Sequence, residues 1–174
     1  MTDTKDRIVR AAVRSFQKHG YHGTGMAALM EAADVRKSSL YHHFPGGKEA
    51  IAIAALDWLT HQILGQLDEM GKKGAGGSAM VQAMIDRGQR MAGTDQALRG
   101  SLFAVLAWDC IPEAPEIAKR LELAMTEIQD RLTEGFQREG SARADDRAIA
   151  SLALVEGSML LSRIGVWRTN PTVE

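Results

Sequence analysis

The stretch Val35–Phe44, VRKSSLYHHF, decides how this chain is read. It sets two basic residues, two serines, a tyrosine and two adjacent histidines around only three large apolar side chains, Val35, Leu40 and Phe44. A hydrophobic core has no use for so many hydrogen-bonding groups. Wound as a helix at about 100° per residue, the stretch sorts itself. Leu40 and Phe44, four apart, share the face that must pack inward, and Val35 anchors the entry. Ser38, Tyr41 and His42 fall on the opposite face, flanked by Lys37, Ser39 and His43, with Arg36 just before them.

The surrounding sequence is helical in period almost throughout, with no alternating runs, so the fold class is all-α. Residues 4 to 19 place Ile8, Ala12, Val13 and Phe16 on one face and stop at Gly20. Thr24 is the expected N-cap of a second helix carrying Met26, Leu29, Met30 and Ala33. A tight break at Ala33–Asp34–Val35 leads into the opening stretch. After Pro45 and two glycines a fourth helix carries Ile51, Ala55, Trp58, Leu59, Ile63 and Met70. The loop GKKGAGGS, 71–78, precedes further helices expected near 78–93, 97–110, 115–139 and 145–168. The run SLFAVLAW at 101–108 is apolar on all sides and predicts a buried, central helix.

Charge divides the chain unevenly. Residues 1–49 hold eight Lys/Arg against five Asp/Glu, a net of +3, within a chain whose formal net charge is −1. That asymmetry points to an N-terminal module with an anionic partner and a C-terminal body without one. A single cysteine, Cys110, excludes an intrachain disulfide, and with no neighbouring base it reads as an inert thiol. The charged start MTDTKDR is not a secretory signal and no apolar run reaches the ~20 residues that span a bilayer, so a cytoplasmic protein without membrane contact is expected.

Two short helices joined by a tight break, the second presenting polar groups outward, meet the needs of a helix-turn-helix. Small Ser38 permits close approach to DNA, Tyr41 and His42 can reach base edges or thymine methyls, and Lys37, His43 and Lys48 are expected to reach phosphates. Thr24 offers its amide and hydroxyl to a phosphate as well. Metal binding by His42 and His43 is not expected, because adjacent helical residues diverge by about 100° and no carboxylate follows at ligand spacing. GGK at 46–48 is no phosphate loop, since Glu49 stands where Ser or Thr is required.

The segment GYHGTGMAALMEAADVRKSSLYHHFPGGKEAI, preceded by IVRAAVRSFQKHG, resembles the DNA-binding domain of the TetR family of bacterial transcriptional regulators over residues 5 to 56. Asp34 stands where that family usually has Gly in the turn; Asp tolerates the left-handed conformation, so the turn is expected to survive. YHHFPGGKEA, RGSLFAVLA and ALVEGSMLLSR are similar to the subgroup that includes LmrA and YxaF, although many relatives carry Cys at the position of Ser101. The resemblance implies a homodimeric repressor in which residues 1–49 read a palindromic double-stranded DNA operator and residues 50–174 supply the dimer interface and bind a small-molecule effector. DNA would select the conformer whose reading helices lie about 34 to 36 Å apart, and the effector a conformer with another spacing.

Candidate pocket residues are Trp58, Met84, Met91, Leu102, Phe103, Leu106 and Trp108, adaptable methionines and apolar residues of the central helix. The dimer is expected to be a four-helix bundle using Leu121, Met125, Ile128, Leu152, Gly157, Met159, Leu160 and Arg163. No cofactor and no catalytic residue is expected. Two other readings are an all-α enzyme, for which no nucleophile–base pair or metal cluster is visible, and a helical ligand carrier without DNA binding, against which the +3 module speaks.

Overall fold

A computed structural model describes residues 3–94 and 98–166. Among these the chain forms eight helices and no strand: α1 Thr4–Gly23, α2 Met26–Ala33, α3 Lys37–His43, α4 Gly47–Lys72, α5 Gly77–Thr94, α6 Leu102–Cys110, α7 Pro115–Arg138 and α8 Ala144–Arg163. The all-α expectation holds. The sequence-expected helix at 97–110 starts later, because the Ser101 hydroxyl caps α6 by accepting from the Ala104 amide at 3.0 Å. Residues 97, 167 and 168 of the expected helices lie outside the described residues. None of the described helices is long and apolar enough to cross a membrane.

The chain packs as two compact units, Met1–Thr60 with Ala97–Ala124, and His61–Gln96 with Met125–Glu174. The division falls inside α4 and inside α7 and does not coincide with 1–49 and 50–174, which is a division by role. In the first unit α1 is the hub, packed against α2, α3 and α6. Its rows Ile8, Ala12, Phe16 and Val9, Val13, Gln17 are all buried, the i, i+4 spacing that makes one broad apolar face. Gly20 breaks the helix with φ +77°, so the stop read from the sequence is there even though helical turns resume to Gly23.

Between α2 and α3 Asp34 adopts φ +51° and ψ +57°. Its amide donates to Glu31 O at 3.1 Å and the Val35 amide to Met30 O at 3.0 Å, which satisfies two terminal carbonyls of α2. The left-handed turn therefore survives with Asp in place of Gly, as its short polar side chain allows. Leu40 and Phe44 are buried as expected.

In the second unit α5 packs along α8. Gly77 lets α5 start against Phe136, whose ring atoms lie 2.5 Å from where a Cβ would stand, and Gly88 makes room for Met159. The inner face of α8 is small and partly polar: Ala144, Ala148, Ser151, Val155 and Ser158 are buried. On the outer side Ile149, Leu160 and the C-cap residue Ile164 are exposed.

Candidate nucleic-acid interface

The candidate interface is built on α3. Leu40 is fully buried and holds the helix against the first unit, which turns Lys37, Ser38, Tyr41 and His42 outward; all four are exposed, Tyr41 at 39%. Ser39 and His43 border that face half-buried, and Arg36 is exposed at the N-cap without spending its side chain on the cap. The rings of His42 and His43 meet edge to face with centroids 5.2 Å apart. The seven-residue helix and its N-cap Arg36 thus present a hydroxyl, a phenol, an imidazole and two cations together, the mixture that hydrogen-bonds base edges while neutralising phosphate. No group of three or more His, Cys, Asp or Glu among the described residues is placed to hold a metal ion.

Two residues assigned to phosphate from the sequence are placed elsewhere. Thr24 is 1% exposed, and its hydroxyl donates to Gly20 O at 2.7 Å with Ser15 O at 3.2 Å. It does not cap α2 either, since Gly25 holds the N-cap position. The break at Gly20 leaves carbonyls in need of donors, and the inward-turned hydroxyl supplies one of them. Lys48 likewise points inward, its ammonium donating to Tyr21 O at 2.9 Å and Thr24 O at 3.2 Å and lying 4.4 Å from the centre of the Tyr21 ring. It clamps the corner between α1 and α2 to the start of α4 in place of the expected phosphate contact. Tyr21, which the sequence reading passed over, is the residue this clamp holds; burial, then the nearby Cys110 and Glu49, raise its phenol above the usual range.

Of the candidate pocket residues, Leu102, Phe103 and Leu106 are core of the first unit, and Trp58 is half-buried with the Arg10 guanidinium 5.4 Å from its ring centre. Met84 and Met91, half-buried, belong to the second unit. Trp108 differs from the other candidates: it is 86% exposed among the described residues. The dimer residues are corrected too. Leu121 and Ile128 are buried within the chain itself, and Met159 lies over Gly88 of α5, because the inner row of α7 and one flank of α8 already have partners. Met125, Leu152 and Gly157 are half-buried, and Leu160 and Arg163 are exposed.

A family model described as bacterial regulatory proteins, tetR family, matches residues 8–55, which include α2, the Asp34 turn and α3. A second, described as transcriptional regulator LmrA/YxaF-like, C-terminal domain, matches residues 78–165. The chain belongs to the TetR family. This TetR-family chain is 27% identical over 162 residues to the HTH-type transcriptional regulator LmrA of Bacillus subtilis (strain 168), covering 92% of this chain and 86% of that protein. In fold it is similar to a TetR transcriptional regulator from Legionella pneumophila, with a TM-score of 0.84 at 23% identity over 95% of this chain and 89% of the other. FadR of Bacillus subtilis, solved with stearoyl-CoA, matches at a TM-score of 0.67 and 17% identity over 91% and 87% of the two chains. The TetR-family assignment makes this a DNA-binding transcriptional regulator carrying a helix-turn-helix, within a family of regulators and not of enzymes.

Proposed function

We propose that the protein is a homodimeric repressor that binds a palindromic operator through α3 and is released from it by a small-molecule effector. Residues 1–49 read the DNA and residues 50–174 carry dimerisation and effector binding. The observation that carries the reading is the outward set Lys37, Ser38, Tyr41 and His42 on a helix anchored by one fully buried leucine. Tyr41 and His42 contact base edges, and Lys37, Arg36 and His43 the sugar-phosphate backbone.

Dimerisation is supported by α8, whose exposed Ile149, Leu160 and Ile164 lie in one stripe with Ala153 and Gly157 between them. Such a stripe is unusual on a soluble monomer, and a second copy related by a two-fold axis covers it with itself. Relative to the sequence expectation, the interface moves off Leu121, Ile128 and Met159 and onto this outer row. Effector binding is supported by a fold neighbour, the transcriptional regulator FadR, solved in complex with stearoyl-CoA. The effector would act by favouring a conformer whose two α3 helices no longer match one duplex turn.

Gel-shift titration with genomic fragments tests the reading. The expected result is a sequence-selective complex holding two protein chains, with affinity falling steeply as salt rises because phosphate counterions are released on binding. Binding that shows no sequence preference at any salt concentration would overturn it.

A further inference from the structure

In an uninterrupted α1 the amide of Tyr21 would donate to the carbonyl of Gln17, four residues back. The break at Gly20 separates that pair, and the segment carrying α6 takes both halves of it. The Arg99 amide donates to Gln17 O at 2.7 Å, and the Tyr21 amide donates to Oδ2 of Asp109 at 2.7 Å. Three further contacts close the same junction. Gln17 Nε2 donates to Gly100 O at 3.4 Å, Arg99 Nη1 donates to His19 O at 3.4 Å, and His22 Nε2 lies 2.6 Å from the Asp109 carbonyl oxygen. Only glycine fits at position 20, since a Cβ there would run into the Asp109 carboxylate and stand 2.6 Å from Arg99 Nη1. On its other side the corner is locked forward: Thr24 holds Gly20 O, and Lys48 ties the Tyr21 and Thr24 carbonyls to α4.

We propose that Asp109 is a positioning residue for DNA reading: by replacing a missing rung of α1 it sets the attitude of the α1–α2 corner, and through it the attitude of α3. Asp109 touches no DNA. It acts because the corner has no backbone acceptor of its own for the Tyr21 amide, so the direction in which the chain leaves Gly20 is fixed by a carboxylate 88 residues away. The proposal rests on the reading of α3 as the DNA-contacting helix.

The test compares the full-length protein with Asp109→Ala, Asp109→Asn and His22→Ala, using an operator duplex recovered by selection and a scrambled duplex of equal length. Fluorescence anisotropy gives both affinities, and amide hydrogen exchange reports Tyr21. Asp109→Ala is expected to weaken operator binding roughly tenfold, the scale of one charge-assisted hydrogen bond, while changing scrambled-duplex binding less than about twofold. Tyr21 exchange accelerates in the same variant. Asp109→Asn, whose carboxamide oxygen still accepts from Tyr21, stays near the unmodified protein in both readouts. His22 is exposed, so His22→Ala leaves the fold intact and lowers the operator-to-scrambled ratio in the same direction by a smaller factor. An unchanged ratio in Asp109→Ala and His22→Ala overturns the proposal, as does an equal loss on both duplexes accompanied by a lowered melting temperature, which would make Asp109 merely structural. If the unmodified protein itself fails to distinguish the two duplexes, it is the assignment of α3 that fails.

Discussion

Helices α3 and α8 solve opposite problems, and the contrast shows where sequence pattern stops being enough. In α3 large apolar Leu40 goes inward and polar groups go outward, the sorting expected of a helix lying on a core. In α8 the sorting is mixed: serines, alanines and Val155 are buried, while Ile149, Leu160 and the C-cap Ile164 are left in solvent. A helix that buries its small side chains packs closely, and one that exposes its large ones is waiting for another surface. On the proposed reading, the first arrangement faces an external polar ligand and the second a second copy of the chain.

The largest expected effect separates the inner face of α7 from the outer face of α8. Ile128, 1% exposed, tolerates no charge, and Ile128→Glu is expected to unfold the protein, a loss above about 4 kcal/mol that thermal melting would register as a missing transition. Leu160 is 60% exposed, so Leu160→Glu should keep the helical circular dichroism and melt cooperatively while sedimenting as a monomer and losing tight operator binding. If Leu160→Glu remains dimeric, the outer face of α8 is not the interface.

Smaller effects belong to α3. Tyr41→Ala and His42→Ala are each expected to cost about 1 to 3 kcal/mol of preference for the operator over scrambled DNA, read from the two affinities. Lys37→Ala should weaken both duplexes alike and reduce the slope of log affinity against log salt by about one. Equal losses on both duplexes from all three would show that α3 positions the protein without reading sequence.

The smallest effect expected is at Cys110. Burial, then the charge of Asp109, push its thiol up to about 11, so at neutral pH it stays protonated. Because the folded-state value lies above the ordinary one, the thiolate is disfavoured by folding. Iodoacetamide should react slowly with the native protein below that range and quickly once the protein is unfolded in denaturant, which mass spectrometry would follow.

What the sequence made legible follows the same contrast. The α3 face was readable because polar and apolar residues alternate at helical spacing over seven positions and only one side has a partner. The Asp34 turn was readable because few residues tolerate φ +51°. On α7 and α8 apolar residues occur at many angles, so pattern could not say which row faces the chain's own core and which faces outward. Ile128 and Leu160 look alike in sequence and differ only through their neighbours. Thr24, Lys48 and Tyr21 were misjudged or missed for another reason: their roles depend on carbonyls and amides freed at Gly20 and on Asp109, and no local spacing encodes a partner 88 residues distant. Gly20 was the one available signal, read as a stop when it was also a junction.

Selection of bound duplexes from a random pool tests most directly the claim that two copies of α3 read DNA together. The account predicts enrichment of an inverted repeat whose half-sites are centred about one duplex turn apart, or a whole multiple of it, each half collapsing in rank when Tyr41 or His42 is replaced. Enrichment of a single unrepeated site, or of no sequence at all, would contradict it.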